Sequence, residues 1–199
     1  MHIYIYSDLN VDSVAPKKAT RGIYMDEFFS LFGVDSNQAL QFFEEYLKDE
    51  LGSESGLVGV EERLYVASFF AHYTQTPRDE MDSSVAPSGS PRELLDNFVL
   101  PELTAEGARR VGNPGTLEVA GAQTLVVVSF FSDHLEKKAN PRFYESLGQS
   151  FFSRASLATP SRKKALLLWQ VARHFPLWAN TGRRVSRRLR DEPYLLKIP

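Results

Sequence analysis

Five arginines lie within an eight-residue segment near the C-terminus of this 199-residue chain: Arg183, Arg184, Arg187, Arg188 and Arg190. A guanidinium group is planar and can donate two parallel hydrogen bonds to a phosphate or a carboxylate. Like charges four residues apart repel one another on a helix, as Arg184 and Arg188 would, and an anionic partner would relieve that repulsion. The segment therefore has the chemistry of an anion-binding surface.

A second basic group, Arg162, Lys163 and Lys164, precedes the arginines and strengthens a marked charge asymmetry. Residues 160–199 carry ten Lys or Arg and two Asp or Glu, a net charge of +8, whereas residues 1–159 carry a net charge of −10. Such a division favours either an oriented surface for an anionic partner or pairing between the basic segment and the acidic body. The acidic body could belong to the same chain or to a second copy.

Helices must position these charges, and the apolar pattern predicts that the organising core helix of the fold lies just before the arginines. Thr159 is a suitable N-cap and Pro160 a suitable first residue, while Pro176 should end or kink the helix near Phe175. The predicted inner face recurs at three- and four-residue spacing and consists of Ala165, Leu168, Trp169, Ala172 and Phe175. We expect the arginines to follow in a helix that restarts at Thr181-Gly182.

The remaining chain predicts a mainly α fold, a multi-helix globular bundle of about eight helices with a short N-terminal β-strand at Met1–Asp8. The pattern predicts helices over Ser36–Leu51 and Val60–Thr74, and residues 117–138 fit either a helix or a hairpin, with helix favoured by their length. We predict a single domain over residues 1–199. Two lobes, residues 1–75 and 91–199, remain an alternative if the Ser/Pro-rich residues 76–90 form a mobile loop between them.

Several kinds of chemistry are excluded or disfavoured by the residues themselves. The chain has no cysteine, which excludes disulfides, thiol catalysis and cysteine-based zinc sites. Tyr6–Asn10 resembles the first motif of metallophosphoesterases, but Asn10 stands where that family has a metal-binding histidine, so we favour a turn there. We expect no metal and no cofactor. No apolar run is long enough to span a bilayer and no signal peptide is evident, so we expect a cytoplasmic protein.

The leading hypothesis is a non-enzymatic helical protein that binds an anionic partner, with nucleic acid the most common such partner. The two basic groups defined above would contact its phosphates, and binding would weaken as salt is added. The alternative is a protein–protein or self-assembling module in which the acidic body meets the basic C-terminal helix, and pairing between two copies of the chain would make it a homo-oligomer. A third hypothesis is an enzyme with a site assembled from His134, Asp133 and Tyr144.

Overall fold

The computed structural model describes residues 36–75, 91–133, 135 and 140–191. The chain divides into two compact units, Met1–Ser36 and Asn37–Pro199, and every described residue except Ser36 belongs to the second. The described residues are helical and contain no strand, which confirms the mainly α prediction. The predicted strand at Met1–Asp8, the turn at Tyr6–Asn10 and the predicted loop at residues 76–90 lie outside them.

Eight α-helices make up this part of the chain. In chain order they are α1 (Ser36–Leu51), α2 (Val60–Gln75), α3 (Pro91–Leu94), α4 (Ala105–Val111), α5 (Pro114–Phe130), α6 (Pro141–Ala158), α7 (Arg162–Arg173) and α8 (Phe175–Asp191). A 3-10 helix, Gly52–Leu57, follows α1, and α3 continues into a π-helical turn and a further 3-10 turn that ends at Leu103. The predicted helices over Ser36–Leu51 and Val60–Thr74 are confirmed. Of residues 117–138, which fit either a helix or a hairpin, the part up to Phe130 is helical.

Helix α5 lies at the centre of the bundle. Residues 120–129 are all buried, because α5 packs against α2, α4, α6 and α8. At its C-terminal end the ring of Phe130 meets Phe43 of α1 edge-to-face at 6.4 Å and Phe70 of α2 at 5.1 Å. The prediction that the stretch before the arginines forms the organising core helix is therefore wrong, since α7 buries only one face and α5 takes the central place.

The boundaries of the last two helices also differ from the prediction. Helix α7 begins at Arg162 rather than at Pro160, because the Ser161 hydroxyl is the N-cap and accepts from the Lys164 amide at 3.4 Å. It ends at Arg173, close to the predicted end, and Pro176 lies in the first turn of α8. Helix α8 then runs unbroken to Asp191, with no restart at Thr181-Gly182, because both residues are buried within its inner face.

Two glycines allow α8 to approach α6 and α5 closely. A Cβ added at Gly148 of α6 would overlap the fully buried ring of Phe175. A Cβ added at Gly182 of α8 would lie 2.6 Å from Cβ of Ser129 in α5. The contact of α8 with both neighbouring helices therefore depends on the missing side chains at these positions.

We predict that Gly148→Ala lowers the free energy of unfolding by about 1–3 kcal/mol, because the added methyl group overpacks a site whose aromatic neighbour cannot move. The measurement is urea denaturation followed by circular dichroism. Gly56→Ala is the matched control, since nothing lies within 4 Å of its added Cβ. A Gly148→Ala protein as stable as wild type would contradict the close approach of α6 and Phe175.

Candidate functional site

The orientation of α8 is fixed by its inner face, and this decides where its arginines lie. Its buried residues recur at helical spacing and are Phe175, Trp178, Ala179, Thr181, Gly182, Val185 and Ser186. The arginines occupy the flanks and the outer side of the same helix. The flanking side chains can consequently reach carboxylates on the helices that pack beside α8.

Two of the arginines contact the end of α1 and the 3-10 helix after it. Arg184 donates to the backbone carbonyl of Glu50 at 2.8 Å and pairs with the Glu54 carboxylate at 3.3 Å. Arg188 Nη1 lies 3.5 Å from the Asp49 carboxylate and 3.7 Å from that of Glu50. Acidic residues of the amphipathic helix α1 thus face the basic helix within one chain.

Two more arginines contact the central part of the bundle. Arg183 forms an ion pair with Glu145 of α6 and donates through Nε to the carbonyl of Val128 at 3.2 Å. Arg190 donates to Asp133 at 2.6 Å, and this hydrogen bond, together with the positive charge, lowers the pKa of the Asp133 carboxyl. We refer to Arg183, Arg184, Arg188 and Arg190 with their carboxylate partners as the arginine clamp.

The lysines at the start of α7 are also paired. Lys163 lies 2.9 Å from Glu61, with both side chains largely exposed, and Lys164 lies 2.7 Å from the more buried Glu118. Glu118 also accepts a hydrogen bond from the Tyr65 hydroxyl. Burial, followed by that bond to a carboxylate, raises the pKa of Tyr65 well above its usual value. Lys164 therefore belongs to a partly buried polar network rather than to a free basic surface.

The eight cationic residues expected to meet an anion do not form one continuous unpaired surface. Six are ion-paired, whereas Arg162 and Arg187 are exposed and have no carboxylate within 4.0 Å among the residues that the structure describes. Arg173, at the end of α7, is likewise exposed and unpaired within the same part of the chain. Unpaired positive charge is therefore found at both ends of α7.

Helices α6 and α7 border an open groove of about 460 Å³. It is lined by Ser146, Gln149, Ser150, Ser153, Trp169, Ala172 and Arg173. The hydroxyl and amide groups come from one face of α6, while α7 supplies the aromatic ring and the charge. The guanidinium carbon of Arg173 lies 5.5 Å from the centre of the Trp169 ring, a cation–π distance. Among the residues that the structure describes, no carboxylate lines the groove.

The outer face of α7 was not recognised as a surface in the sequence, where Trp169 is predicted to face the core. Leu168 and Ala172 do face the core, but 47% of the Trp169 surface is exposed. Trp169 shares the outer face with Arg162, Leu166 and Arg173, at positions i, i+4, i+7 and i+11. That spacing could have identified an exposed face of α7. Trp169 was instead predicted to be buried, because it also fits the apolar pattern of the inner face.

A second feature missed in the sequence is a buried polar network around Glu62. Glutamate side chains are normally solvated, yet Glu62 is 1% exposed and accepts from Trp178 Nε1 at 2.6 Å. His174 Nδ1 lies 3.0 Å from the same carboxylate. The network joins α2 to the junction of α7 and α8.

The residues named for an enzymatic site are engaged elsewhere in the fold. Asp133 is held by Arg190, and the buried Tyr144 hydroxyl donates to the carbonyl of Pro91 at 3.2 Å. Burial raises the pKa of Tyr144, which keeps its hydroxyl protonated near neutral pH. The side chain of His134 lies outside the described residues, so the proposed grouping of the three stays a hypothesis.

We predict that Arg184→Ala lowers the free energy of unfolding by about 1 kcal/mol, because it removes a hydrogen bond to a carbonyl together with a partly exposed ion pair. Arg187→Ala is the matched control on the same helix and should change stability by less than about 0.5 kcal/mol. Urea denaturation measures both, because urea leaves ion pairs unscreened. Equal effects of the two variants would argue against the arginine clamp.

We also predict that Glu62→Ala lowers the free energy of unfolding by about 1–3 kcal/mol, because the indole N–H of Trp178 is left buried without an acceptor. Glu62→Gln keeps an acceptor and should be milder. The neighbouring exposed Glu61→Ala serves as the control in the same denaturation experiment. A Glu62→Ala protein as stable as the control would show that the indole finds another partner.

Metal-ligand clusters, membrane-spanning helices and similarity to known proteins were each considered as evidence of function. The described residues contain no cluster of three or more potential metal ligands, and none of their helices is long and apolar enough to cross a membrane. Comparison of the chain with family models, with characterised proteins and with solved structures gives no match. Any functional conclusion must therefore rest on the distribution of charge, aromatic surface and grooves described above.

Proposed function

We propose that the protein is a non-enzymatic helical binding protein that contacts an anionic partner, with nucleic acid as the partner class. The observation that carries the proposal is the unpaired positive charge on the outer face of α7. Arg162 and Arg173 are exposed there, with no carboxylate of the described residues in ion-pair distance of either. An eleven-residue separation places them about 16 Å apart along the helix axis, so they can engage two separate anionic groups.

The arginine clamp changes which residues are expected to carry the interaction. A phosphate that approached Arg184 or Arg188 would have to displace the carboxylates of α1, whereas Arg162 has no carboxylate of the described residues within ion-pair distance. Lys163 is an intermediate case, because its partner Glu61 is exposed and such surface pairs are weak. The proposal therefore places the main contact on α7, with the clamp arginines holding the fold.

A second candidate, a protein–protein module, is favoured by exposed apolar side chains near the same face. Leu157, in the last turn of α6, is 86% exposed, and Leu166 of α7 is 56% exposed. Aromatic and arginine side chains such as Trp169 and Arg173 are also enriched at protein interfaces. In this case the partner would be another protein, or a second copy of the chain.

The proposal predicts that binding of a fluorescein-labelled oligonucleotide, measured by anisotropy, weakens as salt rises from 50 to 200 mM. Replacing Arg162 or Arg173 by alanine should reduce the slope of log K against log salt by about 0.7–0.9 each, the contribution of one phosphate contact. Arg184→Ala is the control and should leave the slope unchanged. If the slope instead falls only in Arg184→Ala and Arg188→Ala, the contact lies on α8.

The same experiment separates the two candidate functions. Absence of salt-dependent binding to any oligonucleotide would overturn the nucleic-acid proposal. Sedimentation velocity of the free protein at both salt concentrations then tests self-association. An oligomer lost on replacing Leu157 and Leu166 by serine would support the protein–protein candidate.

A further inference from the structure

The groove between α6 and α7 combines hydrogen-bonding side chains with an aromatic ring and a positive charge. One wall, from α6, carries three serines and a glutamine, and the other carries an exposed indole and an unpaired guanidinium. The hydroxyl and amide groups can both donate and accept hydrogen bonds, as ligands rich in oxygen and nitrogen require. A purely apolar ligand would leave these groups unsatisfied.

Trp169 provides the groove with a surface on which a flat ring can stack. The protein has two tryptophans, and Trp178 is fully buried while Trp169 is 47% exposed. Helix α7 already fills its inner face with Leu168, Val171 and Ala172, so the fold does not require a large ring on the outer face. The Arg173 guanidinium carbon lies 5.5 Å from the ring centre, so a stacked ligand lies against the opposite face of the ring or takes the place of this guanidinium, with the positive charge close to it in either case.

Charge complementarity selects an anion, and the geometry selects a single strand. The described part of the groove wall contains Arg173 and no carboxylate, and Arg162 continues the positive charge along the same helix face. A base in a duplex is covered on both faces by its neighbours, whereas a base in a single strand can unstack and lie on an aromatic side chain. Repeated phosphates in turn match two separated arginines better than one small anion does.

We infer that the α6–α7 groove binds single-stranded nucleic acid, with one base stacked on Trp169 and an adjoining phosphate bound by Arg173. The inference rests on the proposed function and assigns it a site. The serine and glutamine side chains of α6 contact the sugar and the base edge without reading a defined sequence. Arg162 contacts a second phosphate along the strand.

Tryptophan fluorescence of the full chain tests this site directly, because Trp178 is inaccessible and a change in emission on binding reports Trp169. A twelve-nucleotide oligothymidylate should quench the emission. Binding of the variants is measured by the anisotropy of a fluorescein-labelled oligothymidylate, because Trp169→Ala removes the fluorescent reporter. Trp169→Ala should weaken binding about 10-fold while leaving the salt slope nearly unchanged, since stacking involves no counterion release. Arg173→Gln should lower the slope by about 0.7, the value for one phosphate contact on a single strand.

Matched controls separate this inference from the proposed function. Leu166→Ala removes a comparably exposed side chain from the same helix face outside the groove and should bind as wild type does. Each variant is compared with wild type by its urea unfolding midpoint, which should not change for these exposed positions. Trp169→Phe should restore part of the affinity lost in Trp169→Ala, because a smaller ring still stacks.

Four results would overturn the inference. Salt-dependent binding that is unaffected by Trp169→Ala would contradict the groove as the binding site and would still agree with the proposed function. No binding to any oligonucleotide would contradict both the groove site and the proposed function. Equal affinity for a twelve-base-pair duplex or for polyglutamate of matched charge would indicate a general anion surface or an acidic protein partner. Thymidine monophosphate bound as tightly as the oligonucleotide would indicate a small-molecule site.

Discussion

Helix α5 contains no charged side chain over the twelve residues from Val119 to Phe130, and this constraint organises the rest of the structure. A helix that is apolar on all sides must be covered on all sides. Its neighbours α2, α6 and α8 each turn one face inward to provide that cover, and their rotation about their own axes is thereby fixed. The positions of Gly148 and Gly182 then determine how closely α8 can approach.

Once the rotation of α8 is fixed by its buried face, the position of its charges follows. The arginines on the flanks lie beside α1, α6 and the end of α5, where Glu50, Glu145 and Asp133 are placed. The net positive charge of the C-terminal segment is consequently offset largely within the chain. An exposed pair contributes little alone, so the arginine clamp supplies only a small part of the stability of the bundle.

The sequence was informative wherever one periodic pattern dominated a segment. It predicted the mainly α fold, helix α1 and the end of α7, because amphipathic spacing and proline act locally. Periodicity could not show which of the two strongly apolar segments, α5 or α7, is the more deeply buried. The central position that α5 holds was therefore assigned to α7. The sequence also could not show that Glu62 is buried, because its partner Trp178 lies 116 residues away along the chain. The pairing of each arginine depends on the same kind of long-range contact.

Trp169 and Arg173 lie on the outer face of α7, which does not contribute to covering α5. The inner face of α7 is complete without them, and their side chains extend over a groove instead of into the core. The exposed 47% of the Trp169 surface carries a solvation cost that a polar residue at the same position would avoid. The residues of α8 can be explained by the fold that they stabilise, whereas the core is complete without the exposed part of Trp169 and without Arg173. The physical case for binding is therefore stronger on α7 than on the more basic helix that follows it.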